Sequence, residues 1–305
     1  VPANLINSQF IYQGNNMQPS SDQTISPFSV RKRSFQIFDD ISSEQVGALR
    51  RWLMRGQNFI VEWLEADADG ATTSVQSQHE TLVLLPEAGG TIHQGQKPAV
   101  AAPAGSICIV PAGPYSITLQ RGGRYCVIAS SRDDIDLNEV LNAAAYVDPD
   151  PRVNPVGTPY RRQTCHDAVQ VLQLDDIVPP ADNPRLKMFQ TETLSINWVA
   201  YDGPRARTQL SPHSHSSHEQ GSLAIQGRYK HHLRVKWGKD ANLWQDDEHC
   251  DAPSPSLLVI PVYLIHTSEG VGDEKHVLVD IFSPPRADFI AKGWVYNAND
   301  YQAGA

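Results

Sequence analysis

The chain has 305 residues and a formal net charge of −9, from 25 basic and 34 acidic side chains, with 40% hydrophobic and 8% aromatic residues. An acidic balance with no basic run longer than Arg31-Lys-Arg33 argues against recognition of a phosphate backbone, so no nucleic-acid partner is expected. No apolar stretch approaches a membrane span and no charged-then-apolar segment opens the chain, so the expectation is a soluble, cytoplasmic protein with no membrane partner. The length fits about two domains with material for two cores.

In chain order, residues 1–30 are polar and rich in Asn, Gln and Ser, and read as an N-terminal arm, either laid across another domain or subunit or mobile. Ser43 to Arg55, with a Ser cap, an early Glu and the closing Gly56, predicts a helix. Leu137 to Ala145 is a second helical candidate. Short apolar runs, among them Leu82-Val-Leu-Leu85, Ile107-Cys-Ile-Val110, Tyr125-Cys-Val-Ile-Ala129, Leu257-Leu-Val-Ile260 and His276-Val-Leu-Val-Asp-Ile-Phe282, predict strands bounded by Pro and Gly. Val147 to Pro159 is too proline-rich for regular structure and places a linker at 146–165. Tyr229 to Trp237 alternates: Tyr229, His231, Leu233, Val235 and Trp237 on a buried face, and Lys230, His232, Arg234 and Lys236 on a solvent face. The reading is all-β with few helices, with domains at 31–145 and 166–305. Cys108, Cys126, Cys165 and Cys250 fall in no metal-binding spacing, and the first two sit in apolar strands as small hydrophobes.

The pattern occurs twice. Phe59-Ile-Val-Glu-Trp63 followed by Asp67 recurs as Leu194-Ser-Ile-Asn-Trp198 followed by Asp202, and Ser77-Gln-His-Glu80 recurs as Ser216-Ser-His-Glu219. An offset of roughly 135 to 150 residues suits a duplicated domain.

His213-Ser-His215 places two imidazoles on one face of a strand, because side chains alternate with period 2, and His266 follows in Pro261-Val-Tyr-Leu-Ile-His266. Pro212 to Gly227 resembles the first motif of the cupin superfamily, His-x-His, a Glu, six residues, Gly. Pro261 to His266 is similar to the second motif, with Tyr263 where the family has Gly. Gly105 to Ser116 matches that second motif except at its last position. Over nearly its whole length the chain resembles a bicupin, which implies two tandem jelly rolls (double-stranded β-helices).

Six residues separate Gln220 from Gly227, so the family's carboxylate ligand is either replaced by that amide or shifted to Glu219. The two cannot both face the metal unless the strand begins later or bulges. The expected ligands are His213, His215, Gln220 and His266. Aligning the copies sets Ser74 and Gln76 opposite the first two histidines, Thr81 opposite Gln220 and Ser116 opposite His266, so only the second copy is expected to hold an ion. With Gln220 inward, Ser222 and Ala224 also face inward and leave room for a ligand. His231 is the candidate general base, and Arg205 and Arg207 are candidates for a substrate carboxylate at the pocket mouth.

Cupins with three His and no carboxylate resemble iron-dependent dioxygenases acting on aromatic acids or diketones. The resemblance therefore implies one divalent ion in the C-terminal domain, Fe(II) by preference, with Zn, Ni or Mn as alternatives, and a small-molecule substrate. A redox-inert lyase, isomerase or hydrolase and a non-catalytic binding cupin are the competing classes. The sequence leaves the quaternary state open; cupins commonly pair through sheet edges, so a homo-oligomer is one of the states the resemblance allows.

Overall fold

The computed structural model describes residues 25–304, so most of the expected arm lies outside the described residues. Strands dominate, and among the described residues the single α-helix is Ala287–Ala291. No helix among them is long and apolar enough to cross a membrane.

The first half builds a seven-stranded sheet in the order Gln170–Gln173, Ser106–Val110, Thr81–Leu85, Gly123–Ala129, Ile60–Ala66, Leu49–Arg55, Glu44–Val46. Facing it is a four-stranded sheet of Thr72–Ser77, Gly113–Leu119, Gly90–His93 and Val100–Ala102. The second half builds a six-stranded sheet in the order Ser34–Ile37, Ser256–Ile260, Gln220–Gln226, Lys275–Phe282, Ser195–Asp202, Lys187–Gln190. Its companion has three strands, Glu248–Pro253, Arg228–Arg234 and Ile265–Gly270. All ladders within these sheets are antiparallel.

Two domain boundaries differ from the sequence reading. Ser34–Ile37 pairs with Ser256–Ile260 and so edges the second sheet, whereas Gln170–Gln173 pairs with Ser106–Val110 and edges the first. Each half covers an exposed sheet edge of the other, which satisfies backbone groups that would otherwise stand open.

The predicted helix at Ser43 to Arg55 is a hairpin, with Val46 opposite Leu49 and Gly47 at φ +59° in the turn. Its Ser, Glu and Gly signals serve a turn equally well, and packing decides: Trp52 and Met54 enter the largest core while Leu53 packs with Ile60 and Val140. In the other helical candidate, only Ala143–Tyr146 forms a 3-10 turn. Along Arg228–Arg234 the alternation holds, with Tyr229, His231, Leu233 and Val235 buried. Trp237 lies beyond the strand and is 61% exposed, stacked on Trp244 at 4.5 Å.

The core explains why so many strands are continuously apolar: the large sheets are buried on both faces. From Thr81–Leu85, Leu82 and Leu84 enter a core shared by the two halves, while Val83 and Leu85 point into the first barrel. From Ser256–Ile260, Leu257 and Val259 enter that shared core, while Leu258 and Ile260 face the second barrel. Because each half completes the other's core, urea is expected to unfold both in one transition. Leu223→Ala, deleting a fully buried side chain of that core, should lower stability by about 2–5 kcal/mol. Two resolved transitions would contradict the shared core.

Candidate metal centre

The centre is built from three chain segments of the second barrel. His213 and His266 are held together by a two-residue antiparallel bridge, with N–H···O distances of 3.1 and 2.8 Å, and Tyr263 N donates to His215 O at 2.7 Å. Tyr263 adopts φ +66°, the left-handed conformation for which glycine is the usual residue. The Gly113 of the first repeat has φ +110° at the matching place. Gly227, φ +91°, also has no room for a side chain: a Cβ there would lie 2.7 Å from His276 Cδ2 and 2.8 Å from Lys275 O.

These constraints bring one ligand atom from each of His213, His215 and His266 within 4.8 Å of one another, the only such group among the described residues. The hydrogens on the outer nitrogens are assigned by their acceptors: His213 Nδ1 lies 2.8 Å from Ser211 O, and His266 Nδ1 lies 2.9 Å from Leu264 O. Gln220 completes the group. Its Nε2 donates to Asp280 Oδ1 at 2.8 Å and Ser222 Oγ at 3.0 Å, so its carbonyl oxygen must face the imidazoles, 2.9 Å from His215 Nε2 and 3.1 Å from His266 Nε2.

His266 provides the test of fit. With its hydrogen on Nδ1, its Nε2 lone pair confronts the Gln220 carbonyl oxygen, an acceptor against an acceptor. Protonation does not relieve this at neutral pH, because burial, followed by the neighbouring His213, pulls its pKa down to about 3. His215 is likewise lowered to about 4, chiefly by burial. A cation between neutral donors resolves the contact, and imidazole nitrogens with an amide oxygen suit a divalent transition metal.

Glu219, the other candidate for the fourth position, points the opposite way. It accepts from Gln57 N at 2.5 Å and from Tyr146 OH at 3.3 Å, so it ties the second half to the first. Gln220→Ala is therefore expected to weaken metal retention about tenfold or more. Glu219→Ala should leave retention unchanged and lower the midpoint of unfolding; the reverse ranking in a metal-competition assay would contradict the assignment.

The triad and Gln220 line a cavity of about 540 Å³, together with Asn197, Asp280, Phe282, Arg185, Arg205, Arg286 and Lys292. Arg286 is held by Asp288 at 2.8 Å, lies over the rings of Phe289 (4.1 Å) and Phe282 (4.9 Å), and places Nη1 3.3 Å from His215 Nδ1. Sequence reasoning missed both Asp280 and Arg286. Asp280 carried a signal, a lone carboxylate in an apolar strand on the same face as Leu278 and Phe282. Arg286 carried none, because it reaches the cavity from the turn after that strand.

Two further candidates are displaced. His231 faces the barrel interior but does not line the cavity. Its Nδ1 is 2.8 Å from Ser268 Oγ, Ser268 itself lines the cavity, and Phe35 covers the ring at 6.2 Å. Alternation identified its face correctly, but depth within the barrel separates it from the ligand space. Arg205 lines the cavity, whereas Arg207 pairs with Glu269 elsewhere.

The corresponding interior of the first barrel is packed with apolar side chains. Ser74 pairs with Ser116 as His213 bridges His266, but Ser74 and Gln76 are exposed, and the inward neighbours Val75 and Tyr115 join a filled apolar cluster. Tyr115 OH and Thr81 Oγ1 satisfy each other at 2.6 Å. On Thr72–Ser77 and Gly113–Leu119 the inward residues are thus one position away from those expected, because these strands present the other face, whereas Thr81 faces inward at its expected position.

The lowered imidazoles set a pH dependence for the metal-free protein. Unfolded histidines bind a proton near pH 6.5, while folded His215 and His231 do so only near pH 4 and His266 near pH 3, all chiefly because of burial. Between those values the unfolded chain binds more protons, so this stabilisation is complete above about pH 6.5 and is lost as pH falls toward 4. Urea midpoints from pH 7.5 to 4.5 should decline accordingly, and the His231→Gln variant should decline less.

No family model matches the chain and no curated protein matches it. Solved structures do. The oxalate decarboxylase of Lactobacillus farciminis in its formate complex superposes with TM-score 0.56 at 14% identity, over 85% of this chain and 90% of that one. AerE from Microcystis aeruginosa superposes with TM-score 0.55 at 10% identity, over 85% and 100%. The oxalate decarboxylase of Bacillus subtilis, described with Mn(II) centres, gives 0.54 at 12% identity, over 84% and 78%. The likeness shows the fold: two tandem cupin jelly rolls.

Proposed function

We propose that this bicupin is a metal-dependent enzyme for a small carboxylate-bearing substrate, with one tightly held divalent ion in its second barrel. The observation that carries this reading is a donor set of three imidazoles and one amide oxygen, with no carboxylate, in a cavity lined by Arg185, Arg205, Arg286 and Lys292. Asp280 and Asp288 offset only part of that positive charge. A divalent ion in this neutral set would supply Lewis acidity toward an anionic oxygen donor and, as iron, a site for dioxygen.

The chain's own residues prepare the site. Asp280 and Ser222 hold the Gln220 amide in one orientation, and the carbonyls of Ser211 and Leu264 keep hydrogens on the outer nitrogens of His213 and His266. For His215 to offer Nε2 as a lone pair, its hydrogen must sit on Nδ1, and Arg286 Nη1 then loses its acceptor there. That guanidinium donor is thereby made available to a substrate carboxylate, while Phe282 and Phe289 keep its plane fixed. His231 acts through Ser268, as a positioning residue.

Two reaction classes remain in the proposal. The neutral donor set supports the Fe(II) dioxygenase reading for an aromatic acid or diketone-like substrate. The likeness to oxalate decarboxylases, one of them described with Mn(II), supports a redox-neutral lyase. Protein purified without an affinity tag should carry about one ion per chain that survives dialysis, and lose it in the His213→Ala, His215→Ala double variant. Turnover of mono-, di- and aromatic carboxylates should follow that ion, with Arg286→Leu raising KM about tenfold or more. Dioxygen uptake matching turnover identifies the dioxygenase, and undiminished anaerobic turnover identifies the lyase. Carboxylate binding with no turnover under either condition would sink the enzyme reading.

A further inference from the structure

The outer face of the three-stranded sheet carries a second group of metal-ligating side chains. His232 and His249 stand directly opposite each other on the antiparallel strands Arg228–Arg234 and Glu248–Pro253. Their Nδ1 atoms are 2.7 Å apart, and their rings cross at 70°. On the far side of the His232 ring, Nε2 lies 2.9 Å from Glu269 Oε2. Glu269 is only 5% exposed, and its other oxygen pairs with Arg207 Nε at 3.1 Å.

This chain of contacts assigns a tautomer. A carboxylate paired with an arginine accepts hydrogen bonds, so His232 places its hydrogen on Nε2 and turns the Nδ1 lone pair toward His249. A carboxylate behind one imidazole nitrogen is also the arrangement that orients a metal-ligating histidine through the other. His249 is exposed, so its ring is free to turn and widen the gap between the two nitrogens.

We infer that His232 and His249, oriented by Glu269, form a second and exchangeable site for a borderline transition-metal ion of the Cu(II), Ni(II) or Zn(II) class. Imidazole suits these ions better than it suits magnesium or calcium, and Cu(II) binds most tightly at a given nitrogen site. Two protein ligands leave the other positions to water, so the ion is held more weakly than by the triad. The site is separate from the cavity: His232 pairs with Thr267, the residue after His266, but its side chain is on the other face of that sheet from Leu233 and His266.

The test is a titration of Cu(II), and separately Zn(II), into the full chain already loaded at the triad and freed of excess metal. One further equivalent is expected in the parent protein, with the copper resonance showing coupling to two imidazole nitrogens. His249→Ala, at an exposed position, should abolish it, and Glu269→Gln should weaken it about tenfold. The double variant His213→Ala, His215→Ala should keep it, which separates this site from the triad. Identical titrations of the parent protein and His249→Ala, or a further equivalent that survives both His249→Ala and His232→Gln, would overturn the assignment; absence of the equivalent in the parent would reduce the pair to two imidazoles sharing a proton.

Discussion

Face-to-face burial of the seven-stranded and six-stranded sheets is the constraint on which the rest of the molecule depends. Each large strand sends alternate side chains into its own barrel and the others into the shared core, as Leu223 and Ile225 do on one strand and Leu82 and Leu84 on another. Each such side chain contributes about 1.5–3 kcal/mol through removal from water, so neither half is complete alone. The contact also reaches the candidate metal centre. Gly221, next to Gln220, lies so close to the first half that a Cβ would sit 3.1 Å from Phe59 Cε2 and 3.2 Å from its Cζ. With Glu219 tied to Gln57 and Tyr146 on the same side, the first half braces the strand from which Gln220 points the other way, into the second barrel.

The two barrels diverge by what fills them. In the first, Tyr115, Tyr125 and Ile117 close the interior, and Glu62 is fully buried against Arg132 at 2.7 Å, with Arg132 also gripping Asp134. Asn197, which the repeat sets opposite Glu62, instead lines the open cavity of the second barrel. One copy uses its interior for packing and an ion pair, while the other keeps an open cavity. A buried ion pair stabilises little beyond what apolar packing would, and here each partner has a second counter-charge, Asp134 for Arg132 and Arg51, 3.5 Å away, for Glu62.

Much of the centre was legible because it depends on local geometry. Period 2 pairs Gln220 with Ser222 along their strand, whereas His213 and His215, expected on one strand face, lie in a segment where only His213 makes an isolated bridge, to His266. Where reasoning from alternation failed, the missing quantity was depth or face. His231 is inward, as its strand predicts, yet Phe35 and Ser268 separate it from ligand space. Ser74 and Ser116 align with His213 and His266 along the chain but present the opposite face. The hairpin at Ser43 to Arg55 shows a different failure: capping residues mark an end of structure without saying whether helix or strand lies between.

The sequence by itself determined the all-β class and the duplication, because strand alternation and turn glycines are local properties of the chain, and its likeness to a family motif brought forward the four residues of the candidate centre. Only the tertiary structure decided which half supplies each edge strand, that Asp280 orients the Gln220 amide, and that Arg286 meets His215 over two phenylalanine rings. Those outcomes rest on contacts between residues far apart in the chain, such as Gln220 with Asp280 and His215 with Arg286. Such pairs leave no periodic trace, since their partners are chosen by the space left when the sheets close on each other.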